Sequence, residues 1–141
     1  MALFADTSAL YAVLDRDDAF HEDALTFARG LRGNELVTHN YVVVETITLA
    51  RSRLSTTHMR RLLGDLLPPI AVAWIDGDIH SKGVLALLSS PRHGARFVDL
   101  VSFEVMRREG IDTAFAFDRH FSTAGFRLVP EVRVGRRPAL H

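Results

Sequence analysis

The stretch Thr113-Ala-Phe-Ala-Phe-Asp118-Arg-His-Phe121 is a short apolar run that stops on an aspartate. The same pattern opens the chain, where Leu3-Phe4-Ala5 runs straight into Asp6. Runs this short and this apolar read as buried strands.

Outward from these runs, helical and strand-like segments alternate. Thr7 and Ser8 open a helix that reaches Leu14, and Asp15 to Asp18 form an acidic turn. Phe20 to Arg32 has helical spacing and stops at Gly33-Asn34. Glu35 to Thr38 reads as a strand. Residues 39–53 are rich in β-branched residues, which favours a strand, but their length without a turn residue favours a helix capped by Thr38 or Asn40. Ser55-Thr56-Thr57 caps another helix, which ends before Pro68-Pro69. Ile70 to Ile75 is a strand, with Trp74 in the core. A helix follows from Asp76 or Asp78 to Leu88. Asp99 caps a helix to Glu109 that Gly110 ends. Thr113–Phe117 and Phe126–Val129 are the last strands, with a single helical turn between Asp118 and Thr123. Alternation of this kind predicts an α/β fold, with a mostly parallel central sheet flanked by helices. Residues 1–130 form the predicted domain, and 131–141 a basic C-terminal tail.

The chain of 141 residues suits one core. It carries 48% hydrophobic and 24% charged residues, the balance of a soluble globular protein. It has no cysteine, which excludes disulfides and thiolate metal sites. No apolar run approaches the ~18 residues of a membrane span, and the N-terminus lacks the features of a secretory signal. A cytoplasmic protein is expected. Net charge is zero, so total charge does not indicate nucleic-acid binding. The basic residues are 16 arginines and one lysine, Lys82. Residues 46–64 and 132–141 carry arginines and no acid. These segments suit phosphate contact, a partner's acids, or a solvated face.

In an open parallel sheet, ligands bind at the carboxyl ends of the strands. Asp6 and Asp118 fall at such ends, and Asp99 at a helix start. Each also has a plain reading as a helix cap. Glu45 is different: in YVVVETITL a charge sits among apolar neighbours and needs an arginine or a metal as partner. Carboxylates gathered at one sheet edge stay ionised only beside a cation. All-oxygen ligands suit Mg²⁺, or Mn²⁺, and such an ion supports phosphodiester cleavage. Among other residues, His21 reads as a packed helix residue, and His39 and His58 belong to no constellation. His120 reads either as a pocket-rim residue or as a surface one.

The segments ADTSAL (5–10), VVETITL (43–49), FVDLVSFEVMRREGI (97–111) and AFAFDRHFSTAGFRLV (114–129) together resemble the PIN-domain ribonucleases, and among them the VapC toxins of toxin–antitoxin pairs. The resemblance implies a PIN-like fold and a Mg²⁺-dependent endoribonuclease acting on transfer or ribosomal RNA. Asp6 and Asp99 would be direct metal ligands. Glu45 would ligate or orient water, and Asp118 would complete the pocket. Thr7 and Ser8 would support the site. Val98 stands where relatives often have a hydroxyl, and Ser102, one turn on, would substitute. A VapB-like antitoxin and a homodimer are the implied partners. The rival readings are a PIN nuclease of RNA processing without an antitoxin, and a catalytically silent PIN binding module.

Overall fold

The computed structural model describes residues 1–132. The arginine-bearing end of the expected tail, from residue 133, lies outside the described residues. Five short strands form one sheet: β1 (Leu3–Ala5), β2 (Leu36–His39), β3 (Ala71–Ala73), β4 (Thr113–Phe115) and β5 (Arg127–Val129). Their order is β3-β2-β1-β4-β5, and every pairing is parallel. Seven helices flank the sheet: α1 (Thr7–Leu14), α2 (His21–Arg29), α3 (Asn40–Arg53), α4 (Thr56–Arg61), α5 (Gly77–Ser89), α6 (Phe97–Glu109) and α7 (His120–Thr123). Among the described residues, no helix is long and apolar enough to cross a membrane.

The strand order has a direct consequence. The chain winds outward from β1 through β2 to β3, then crosses back to build β4 and β5 on the other side of β1. The order therefore reverses between β1 and β4, and a crevice opens at their carboxyl ends. Phe4 pairs with Ala114 and Ala5 with Phe115. That register sets Asp6 and Asp118 at the mouth of the crevice.

Beneath it lies an aromatic core. Phe4, Phe20, Phe115 and Phe121 are fully buried. Phe4 stacks on Phe121 at 6.1 Å, and Phe103 meets Phe121 edge-on at 5.0 Å. Burial of each such ring stabilises the fold by about 1.5–3 kcal/mol. Phe20 stacks on Phe117 at 4.6 Å, which anchors the end of the run that carries Asp118. A smaller cluster of Leu14, Ala50 and Leu62 joins α1 and α3 to the segment after α4.

Several boundaries differ from the sequence reading. Helix α2 ends at Arg29, short of Arg32. The helix after Ser55 breaks at Arg61 and continues as a widened turn in which Leu67 N–H reaches back five residues to Leu62 O, 3.0 Å. The turn ends at Pro68, whose ring has no N–H to extend the ladder. Residues 39–53 are helical, but His39 caps them, with its side chain accepting from Tyr41 and Val42 N–H. The two expected caps are used across the sheet instead. Thr38 Oγ1 donates to Ala5 O at 2.8 Å, and Asn40 Oδ1 accepts from Ile75 N–H at 2.7 Å. Helix α6 begins two residues before Asp99, which occupies its third position. Trp74 is not core: it follows the edge strand β3 and is 78% exposed.

Candidate active site

Asp6 ends β1 and caps α1. Its Oδ2 accepts from Ser8 N–H at 3.1 Å and from Ser8 Oγ–H at 2.6 Å. The Ser8 hydroxyl in turn accepts from Phe117 N–H at 3.0 Å, one residue before Asp118. Ser8 therefore ties the first acid to the strand end that carries the last. Thr7 faces elsewhere. Its hydroxyl meets Thr46 Oγ1 at 3.1 Å and holds α1 against the helix that carries Glu45.

Asp99 reaches the same crevice from the first turn of α6, with Oδ2 accepting from Arg96 N–H at 3.1 Å. Asp118 lies just past β4, and its Oδ1 accepts from His120 N–H at 2.9 Å and lies 2.8 Å from His120 Nδ1. Ligand atoms of Asp99, Asp118 and His120 all lie within 4.8 Å of one another. Glu45, on α3, finds the arginine partner its sequence context called for: Arg96 Nη2 is 3.5 Å from Glu45 Oε1. The same guanidinium has Nε 3.9 Å from Asp99 Oδ2. Arg96 is half exposed, so solvent screens both pairs and each contributes little to stability.

Asp6 and Asp99 are almost wholly buried, and burial is the main reason both are pushed up from the usual carboxylate range, to about 6 and about 7. Hydrogen bonds from Ser8 pull Asp6 back down, while the charges of Asp118 and Glu45 raise it further. Asp6 and Asp118 raise Asp99. The four acids thus share one field. Three of their buried oxygens, Asp6 Oδ1, Glu45 Oε1 and Asp99 Oδ1, have no hydrogen-bond partner. Glu45 Oε1 still faces Arg96 Nη2 at 3.5 Å, but Asp6 Oδ1 and Asp99 Oδ1 have no partner among the described residues; orphaned buried carboxylate oxygens are costly, and two in one field call for a cation. The donor set fits a hard divalent ion.

Of the residues singled out in the sequence, Asp6, Glu45, Asp99, Asp118 and Ser8 are brought together. Ser102 bonds Val98 O at 2.9 Å and His39 Nε2 at 2.8 Å rather than Asp99, so it does not replace the hydroxyl missing at Val98 through a bond to that acid. His120, which the sequence left between the pocket rim and the surface, joins the acids. Two residues escaped the sequence reading: His39 supports the acids through Ser102, and Arg96 balances their charge. Only Arg96 left a trace, since an arginine at i−3 to a helix-start aspartate can meet it.

The Ser8 bridge gives a local prediction. Ser8→Ala leaves Phe117 N–H buried without an acceptor and removes the hydroxyl bond to Asp6 Oδ2, keeping only the one from the residue 8 N–H. Urea unfolding at pH 7 should show a loss of about 1–3 kcal/mol. An unchanged midpoint would mean the bridge is not formed in solution.

A parallel sheet with an acid-lined crevice at its switch point suits phosphodiester hydrolysis. The chain belongs to the PIN-domain family, whose model matches residues 3–127. The chain is similar to the 23S rRNA-specific endonuclease VapC20 of Mycobacterium tuberculosis, 32% identical over 127 residues that span 88% of this chain and 95% of the relative. The crystal structure of that protein, described as a Sarcin-Ricin loop cleaving toxin, superposes with a TM-score of 0.79 at 32% identity, over 89% of this chain and 96% of the other. FitAcB from Neisseria gonorrhoeae shares the fold with a TM-score of 0.69 at 14% identity, over 89% of this chain and 95% of the other.

Proposed function

We propose that this chain is a divalent-metal-dependent endoribonuclease, the toxin of a toxin–antitoxin pair, and that it cuts ribosomal RNA. The observation that carries the reading is a pair of unpartnered buried carboxylate oxygens, Asp6 Oδ1 and Asp99 Oδ1, on acids whose charges act on one another in the β1/β4 crevice. Asp6 and Asp99 would hold the ion, with Glu45, Asp118 and His120 completing its surroundings. Mg²⁺ or Mn²⁺, when bound, neutralises phosphodiester charge and makes water a better nucleophile. Ser8 fixes the Asp6 rotamer. Glu45, beside Arg96, has more solvent access than Asp6 or Asp99, so it is the acid suited to orient the attacking water and take its proton. Arg96 is suited to meet a phosphate oxygen at the same place.

The rRNA substrate is favoured over tRNA by the 23S rRNA specificity of VapC20, the 32% identical relative. Residues 1–130 form the nuclease unit, and the arginines of 131–141 add positive charge for RNA or a partner. An antitoxin segment bearing an arginine fits the acid cluster by charge, a homodimer is the expected assembly, and the cytoplasm is the place of action.

The test is cleavage of total bacterial RNA by the purified chain with Mg²⁺, with Mn²⁺ and with EDTA. Discrete metal-dependent fragments whose ends map to 23S rRNA are expected. Equal cleavage by wild type and Asp6→Asn protein would sink the assignment. Calorimetric Mn²⁺ binding, lost in the same variant, reports on the ion site independently of activity.

A further inference from the structure

Beside the acids stands a group of rings that the cleavage chemistry does not use. Tyr41 lies on α3 one turn before Glu45 and so on the same helix face. Phe97 follows Arg96 directly in the chain. His80, from the first turns of α5, completes the group. Its ring centroid is 5.9 Å from Tyr41 and 5.4 Å from Phe97, both edge-on, and Tyr41 lies 6.1 Å from Phe97. Tyr41 Oη and His80 Nδ1 are 2.6 Å apart.

His80 is an exposed side chain, yet one hydrogen bond and two ring contacts hold it in a fixed orientation. Fixing an exposed ring costs conformational entropy without the return of full burial. The backbone helps to hold it. Gly83, one turn further on α5, lies where a Cβ would come within 2.7 Å of Val101 and 3.3 Å of Phe97. Only glycine lets α5 approach α6 closely enough to bring His80 onto Phe97. Arg96, the chain neighbour of Phe97, pairs with Glu45 and Asp99 and so links this group to the acids. Acids, then a half-exposed arginine, then a preset exposed ring match the order of a phosphodiester, its neighbouring phosphate oxygen and the next base.

We propose that Tyr41, His80 and Phe97 form a stacking platform for one unpaired nucleobase of the RNA substrate next to the cleaved bond. Stacking on His80 is tolerant of base identity, so the platform selects for an extruded base rather than for its sequence. The proposal rests on the nuclease reading above.

The experiment has two arms. In a cleavage-impaired Asp99→Asn background, binding of a fluorescein-labelled hairpin carrying the sarcin–ricin loop is followed by anisotropy, with the intact RNA and with abasic residues substituted singly through the loop. His80→Ala should weaken the intact hairpin roughly tenfold, as expected for one stacked base. One abasic position should weaken binding equally and abolish the effect of His80→Ala. His80→Phe, which keeps the ring, should bind near wild type, and His80→Gln, which keeps polarity only, should behave like His80→Ala. A structural role alone would not track the ring in this way. Unchanged binding in His80→Ala, or a loss independent of every base, overturns the platform. So does a loss confined to binding of an antitoxin peptide. The second arm measures cleavage of 23S rRNA by otherwise wild-type protein. A higher KM at unchanged kcat in His80→Ala supports the platform. If wild type cleaves and its KM is unaffected by His80→Ala, the platform fails alone; if wild type cleaves no RNA, the nuclease reading fails first and the platform with it.

Discussion

On the proposed function, Asp99→Asn should lower RNA cleavage sharply and, in the same protein, raise resistance to unfolding at pH 8 when metal is withheld. The first effect follows from the proposed role of Asp99 as a buried ligand. A divalent ion supplies several kcal/mol of charge stabilisation in such reactions, so its misplacement lowers the rate by about 10³-fold. The second follows from the raised position of the carboxyl, about 7 against 3.8 for an ordinary aspartate. Below pH 3.8 the group is protonated in both states. As pH rises, the unfolded chain gives up its proton first, and the metal-free fold loses stability until the folded group also ionises near pH 7. Asp6 titrates in the same interval, so the share removed by Asp99→Asn is about 2 kcal/mol. Melting in EDTA at pH 5 and pH 8 reads this: the variant should gain on wild type at pH 8 and little at pH 5. Saturating Mg²⁺ should then stabilise wild type and not the variant. A variant that cleaves at the wild-type rate, or melts below wild type at pH 8 in EDTA, contradicts the account.

The sequence showed which strands end on carboxylates, because a short apolar run stopping at an acid is a local pattern. Leu3-Phe4-Ala5-Asp6 and Thr113 to Asp118 are both of this kind, and two such runs at opposite ends of a chain that alternates helices and strands imply a parallel sheet. The helix over 39–53 was legible by length in spite of its β-branched residues, since burial on one face overrides propensity. Other features depend on what lies across the fold. The boundary at β2 could not be read because Thr38, His39 and Asn40 each bond a different element, and no local rule assigns three polar neighbours to a strand, a cap and a distant backbone N–H. Trp74 alternates like a core residue but follows an edge strand with nothing packed over it. The arginine at 96 gains its meaning only when α3 brings Glu45 alongside α6. The candidate acids were therefore visible singly, while their common field, the Ser8 bridge and the balancing charge needed the tertiary structure.

His39→Ala lowers stability at pH 7 by about 3–4 kcal/mol, the sum of a lost cap and a void in the core. The ring is fully buried, 5.6 Å from Phe4, and touches three elements at once. Its Nδ1 accepts from Tyr41 N–H at 3.2 Å and Val42 N–H at 3.3 Å, which fixes the proton on Nε2. Nε2–H then donates to Ser102 Oγ at 2.8 Å, and Ser102 donates to Val98 O. A second proton would have to enter at Nδ1, against two backbone donors. Burial holds the ring neutral as well, lowering it to about 4 from 6.5. Above pH 6.5 both states are neutral and the full contribution of His39 is present. As pH falls, the unfolded chain gains a proton that the fold refuses, and this contribution fades until the folded ring also protonates near pH 4. The carboxyls of Asp6 and Asp99 change in the opposite sense over the same interval, so wild-type stability alone does not isolate the histidine. The difference between wild type and His39→Ala does, because the acids are common to both. That difference should shrink by about 2 kcal/mol between pH 7.5 and pH 4.5, and the variant at pH 7 should melt about 10 °C lower. A difference that stays constant with pH would mean His39 is protonated as readily in the fold as outside it, and the neutral link from β2 through Ser102 to the helix of Asp99 would have to be abandoned.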